Sequence, residues 1–332
     1  MQKKSFSSSI GVPTETSVEG LGVENALSQQ LRPLSSSALA QASSQFDERL
    51  RVLTLMEQVN HLCRGVQRHR GFSMGLLAGN KSFLRDFDLL QQQMNRRIQL
   101  IAAFANLNKS LLTHMDIERL HYAWNTIRDN WQEDSVLENF EFHSHFVDQL
   151  LVIMSRLTEK VRQPYSLEIR QLVSNVKQNE TNRDKLYPDL LYFSHRKLPR
   201  FIEFLGKVRA LSVHSAAVGF CDKEHQRKLY YLLNCIEQER EVLFELTAAL
   251  QMNLIDRLPS LLTIKTYEYK LDFLLEKISQ EILAVSVVAI KEEEVFSLVT
   301  DIIDIYWRVV DDSLSLLNIW QNEDLEQWLL EG

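Results

Sequence analysis

Leu50-Arg51-Val52-Leu53-Thr54-Leu55-Met56-Glu57-Gln58-Val59-Asn60-His61-Leu62-Cys63-Arg64-Gly65-Val66 is the stretch from which the fold is read. Leu50, Leu53, Val59, Leu62 and Val66 step along one face with polar residues between them, the period of an amphipathic helix. A first helix is expected over 46–79. Only six glycines occur between residues 46 and 331, and all fall in two short windows. Gly65, Gly71, Gly75 and Gly79 surround Arg70; Gly206 and Gly219 surround Arg209. Glycine costs a helix roughly 1 kcal/mol relative to alanine, so its clustering around two arginines asks for a reason.

Outward from these windows the chain reads as further helix. A second is expected over 83–107 and a third over 116–132. Ser135 and Glu138 form a capping-box pattern that opens a fourth, which carries Phe140, Phe146, Leu150 and Ile153 and ends near Pro164. No glycine or proline interrupts residues 80–163. Beyond Pro164 a weaker helix and a polar loop over 179–185 precede a helix opening at Leu198-Pro199, where proline is tolerated in the first turn. Helices follow over 223–252, 260–287 and 292–319. The expected fold class is all-α: two antiparallel bundles of about four helices each, packed side by side. The first spans 46–163 and the second 164–290. Residues 1–45, rich in serine, are expected to form a disordered tail, and 291–332 an acidic helical segment.

With 332 residues, 45 % hydrophobic and 24 % charged, the chain can bury a sizeable core. Its net charge of −7 argues against a nucleic-acid partner, which requires a basic surface. Cys63, Cys221 and Cys235 form no CxxC pair, and an odd, sparse set points to a reducing, cytoplasmic compartment. Neither a secretory pattern nor a run long enough to cross a bilayer is visible, so no membrane partner is expected.

Residues sharing a helical face with Arg70 are Cys63, Val66, Gln67, Ser73, Met74 and Leu77; those sharing one with Arg209 are Ile202, Leu205, Gly206, Ser212, Val213 and Ala216. Both arginines thus lie on apolar stripes with no carboxylate one turn away. A buried, unpaired cation costs several kcal/mol, so something negative must meet each. Two solutions remain open on the residues alone: a carboxylate from another helix, or a small anion held in forked guanidinium donors. In the second case Ser73 and Ser212 add hydroxyl donors, and Gly71 and Gly206 let backbones approach. Placing Arg209 on Arg70 aligns Arg70-Gly-Phe-Ser73 with Arg209-Ala-Leu-Ser212, a local repeat.

Gln67-Arg-His69-Arg70-Gly71-Phe-Ser73 resembles the first signature of the nitrate- and nitrite-sensing (NIT) domain family, Gln-x-Glu-Arg-Gly-x-Ser. Leu198-Pro199 followed by Leu205-Gly206-Lys-Val-Arg209 resembles its second. Glu138-Asn-Phe140-Glu-Phe-His143 and Tyr267-Glu-Tyr269-Lys-Leu-Asp272 are similar to two further family segments, and coverage is about residues 46–290. The resemblance implies an all-helical double bundle that binds nitrate or nitrite between its halves, with Arg70 and Arg209 as the anion-binding pair. His69 stands where the family has glutamate, which introduces a group expected to titrate near neutrality and to modulate binding along with Gln67. The family's cytosolic antiterminators follow the sensor with an ANTAR-type RNA-binding domain. Here residues 292–332 hold eleven acidic residues against the single basic Arg308, which would repel RNA. The expected output is therefore signal transduction through an effector protein, or a second copy of the chain as a homodimer.

No enzyme, cofactor or metal is expected. Glu118-x-x-His121 is half of a di-iron signature that needs a second copy, His143 and His145 fall on different helix faces, and no HExxH, P-loop, GxSxG or dinucleotide motif occurs. The apolar stripe Val295, Leu298, Ile302, Ile305 and Val309 either completes the second bundle or, with Trp320 and Trp328, forms a docking surface. The competing function is a helical adaptor that keeps the fold and has lost its ligand.

Overall fold

The computed structural model describes residues 36–173 and 180–331. Among them the chain forms ten α-helices and no strand. These are α1 Ser36–Leu77, α2 Leu84–Leu107, α3 His114–Arg128, α4 Val136–Lys160, α5 Tyr165–Val173, α6 Asn182–Tyr192, α7 Leu198–Val218, α8 Lys223–Leu254, α9 Leu261–Ile278 and α10 Glu292–Glu331. The all-α expectation holds.

Local chemistry starts and stops these helices as the sequence indicates. Ser135 Oγ accepts from Glu138 N at 3.3 Å while the Glu138 carboxylate accepts from Ser135 N at 3.0 Å, the expected capping box. Thr113–Asp116 and Thr181–Asp184 form two more. Gly219 ends α7 with φ of 78°, a left-handed conformation that glycine adopts without strain.

Several expectations need correction. The tail predicted over 1–45 gives way to helix from Ser36, because Ala42 and Phe46 pack against Tyr165, Ile169 and Trp328; residues 1–35 lie outside the described set. The polar loop predicted over 179–185 is in part the capped first turn of α6, with 174–179 outside the described residues. No new helix opens at Leu198-Pro199: α6 runs into α7 through a π turn, Phe193–Lys197. Pro199, which cannot donate a backbone hydrogen bond, falls where the widened turn returns to α-helix. The C-terminal helix extends twelve residues past 319, and Trp320 and Trp328 are buried rather than displayed. The exposed-tryptophan docking surface is therefore absent.

The interior is shared. Buried side chains from α1 to α4 and from α6 to α10 form one contiguous cluster, with no break at Pro164. Its centre is α1, which packs most heavily against α4, α2 and α7, while α7 packs against α10 and α8. Arg49 pins one end, donating to Glu168 at 2.7 Å, Tyr187 Oη at 2.9 Å and Gln321 Oε1 at 3.3 Å, and so joins α1 to α5, α6 and α10. At the middle of α1, where α7 and α10 meet it, lie the two arginines.

Candidate functional site

Arg70 is fully buried and Arg209 is 2 % exposed, and each leans on the glycine of the other's helix. A Cβ on Gly206 would stand 2.9 Å from Arg70 Nη2, and one on Gly71 would stand 3.5 Å from Arg209 Nε. Gly206 therefore allows close approach of the Arg70 guanidinium to backbone, whereas the tight neighbour of Gly71 is the Phe296 ring, 3.1 Å from where its Cβ would stand.

Arg70 meets a carboxylate that face periodicity did not select. Its Nη1 donates to Glu203 Oε1 at 2.6 Å and its Nη2 to Glu203 Oε2 at 3.1 Å. Nη1 also donates to Ser144 Oγ at 3.0 Å. Glu203 lies on the helix of Arg209, 2 % exposed, and takes a further bond from Gln67 Nε2 at 2.9 Å. It sits six residues before Arg209, outside the i±3, i±4 and i±7 set. A lone carboxylate in Phe201-Ile202-Glu203-Phe204-Leu205 was the signal that could have found it.

Arg209 has no such partner. Nη1 donates to Thr300 Oγ1 on α10 at 2.9 Å, and Nη2 to the backbone carbonyl of Gln67 at 2.9 Å. The Phe296 ring lies 5.1 Å from its guanidinium carbon. Among the described residues no carboxylate reaches ion-pair distance of it, and its Nε is buried without a partner. Burial first, and Arg70 second, hold its pKa down at about 9. Ser212 Oγ, one turn further along α7, is also buried and unpartnered. Two unused donors thus share one face of α7.

The other predicted residues divide. Gln67 belongs to the site: besides its bond to Glu203 and its carbonyl to Arg209, its Oε1 accepts from Trp307 Nε1 of α10 at 3.3 Å. Ser73 turns away: its hydroxyl lies 2.6 Å from Asn139 Oδ1 and 3.0 Å from the Arg70 carbonyl, with a single proton to donate between them. Its hydroxyl serves the α1–α4 contact.

His69 is a clearer correction. It points into the first half of the core, where its ring lies 4.2 Å from Phe87 and its Nδ1 lies 2.7 Å from His143 Nε2. Burial lowers the His143 pKa to about 3 and keeps its ring neutral; with Nδ1 donating to the Asn139 carbonyl at 2.7 Å, Nε2 accepts from His69 Nδ1. Burial, then His143, holds the His69 pKa well below 6.5, so it does not titrate near neutrality.

Among the described residues no helix is long and apolar enough to cross a membrane, and no cluster of three or more His, Cys, Asp or Glu is arranged to hold a metal. No family model, curated protein or solved structure matches this chain.

Proposed function

We propose that this protein is a non-enzymatic sensor of a small planar oxyanion, nitrate or nitrite, that signals through a partner protein. The observation that carries the reading is Arg209, a buried cation with no carboxylate within reach and an unused Nε donor. Leaving a charge in that condition costs stability. An anion accepting from Arg209 Nε and Ser212 Oγ, and shared with Arg70, would remove the cost. Such an anion would touch α1 and α7 at once. Because Phe296, Thr300 and Trp307 of α10 close the same site, a rearrangement there passes directly to the acidic C-terminal helix, which a partner can read. Binding acts by preference for one arrangement of these three helices over another.

The adaptor reading draws on a different observation, the Arg70–Glu203 pair, in which one arginine is already neutralised by the protein itself. Thermal unfolding against nitrate, nitrite, chloride and sulfate separates the two. A sensor shows a saturable rise in midpoint with nitrate or nitrite, absent with chloride and lost in Arg209→Ala and Arg70→Ala. An adaptor shows only the general salt response with every anion.

A further inference from the structure

We infer that Glu203 is an internal counter-anion that competes with the ligand for Arg70, so that anion binding exchanges a tethered carboxylate for a free oxyanion. The inference rests on the sensor reading of this site and names how the site is regulated.

Three donors converge on the Glu203 carboxylate: Arg70 Nη1 at 2.6 Å, Arg70 Nη2 at 3.1 Å and Gln67 Nε2 at 2.9 Å. A carboxylate presents a bent, planar O–C–O group to that fork, and nitrite and nitrate present a bent O–N–O group of the same kind. Glu203 therefore occupies the seat that a planar oxyanion would take on Arg70. With it in place the two arginines are unequal, Arg70 neutralised and Arg209 not.

The carboxylate also has a way out. Lys207, one turn further along α7, holds its Nζ 3.6 Å from Glu203 Oε1 and 3.7 Å from Asp148 Oδ2. Its side chain is 17 % exposed, against 3 % for that of Glu203. A rotation about the Glu203 side chain exchanges Arg70 for Lys207 and moves the charge toward water without leaving it unpaired. Arg70–Glu203 ties α1 directly to α7 through a hydrogen-bonded ion pair, whereas a free anion between the arginines bridges the same two helices through a group attached to neither. Exchange of one for the other changes the constraint between the two helices, and a competitor of this kind raises the apparent dissociation constant by the reciprocal of the fraction of time the seat is free.

The test uses the full-length chain and titrates nitrate, nitrite and chloride by calorimetry and by thermal midpoint. Wild type is compared with Glu203→Gln, which keeps shape and loses charge, and with Glu203→Asp, whose carboxylate is withdrawn by one methylene. Glu203→Gln is expected to bind nitrate or nitrite at least about tenfold more tightly than wild type, with Glu203→Asp between them. Binding by Glu203→Gln alone, with wild type silent, is the extreme form of the same result. Equal or weaker binding in Glu203→Gln beside a wild type that binds overturns the competitor and leaves the sensor standing. No anion binding by either protein, both folded by circular dichroism, overturns sensor and competitor together. If Glu203→Gln fails to fold, Glu203→Asp decides the matter by the same comparison.

Discussion

Arg70 and Glu203 form a two-pronged ion pair across α1 and α7, with contacts of 2.6 and 3.1 Å and neither residue more than 2 % exposed. In such a place desolvation offsets much of the mutual attraction, yet breaking the pair leaves one charge stranded. Glu203→Ala is therefore expected to lower stability by about 3–5 kcal/mol, and the double variant Arg70→Met with Glu203→Leu to recover most of that loss. Urea unfolding of the two proteins checks it. A double variant as unstable as the single one would show that packing, not charge, sets the cost.

Arg209 should behave in the opposite sense. Because the protein offers it no carboxylate, Arg209→Met is expected to leave stability unchanged or raise it by about 1 kcal/mol in the absence of added anion. The same variant should lose any stabilisation by nitrate or nitrite. A marked destabilisation in chloride-free buffer would mean that the bonds to Thr300 and the Gln67 carbonyl, rather than a ligand, justify the arginine.

The buried histidines make stability depend on pH. Burial lowers His143 to about 3 and His195 to about 3 from an ordinary value of 6.5, and holds His69 well below that value too. The unfolded chain then binds protons that the folded chain refuses, so stability is full above about pH 6.5 and falls as pH drops toward the folded values. Each such histidine contributes a slope of up to about 1.4 kcal/mol per pH unit in that window. His143→Gln should flatten the profile between pH 6 and 4 while costing stability at pH 7.5, where its bonds to His69 and Asn139 are lost. An unchanged slope would show that other groups govern the acid transition.

How much of this was legible in the chain follows from which forces are local. The α2 and α4 boundaries, the Ser135–Glu138 box and the Gly219 stop were readable because capping and periodicity act within one turn or a few. The helical start at Ser36 was not, since residues 36–45 are polar in composition and are held by contacts of Ala42 and Phe46 with α5 and α10. Nor was the burial of Trp328, which depends on that same cluster. The expectation that His69 titrates near neutrality fails because it starts from the imidazole in water, whereas side chains adjacent on a helix diverge by about 100° and this one is buried against Phe87 and His143.

By itself the sequence determined that the described residues fold into helices without strands, that Arg70 and Arg209 lie on apolar faces, and that glycine stands beside each. Those are properties of spacing along one chain. Only the tertiary structure decided that Glu203 faces Arg70, that Thr300 and Phe296 receive Arg209, and that Ser73 serves α4 instead. The Arg70–Glu203 contact joins residues 133 positions apart, and its existence depends on the rotational phase with which α7 meets α1. The π turn at Phe193–Lys197 shifts that phase relative to α6. Helix periodicity carries no information about such a shift, because the phase between two helices is fixed by the packing of all the helices around them.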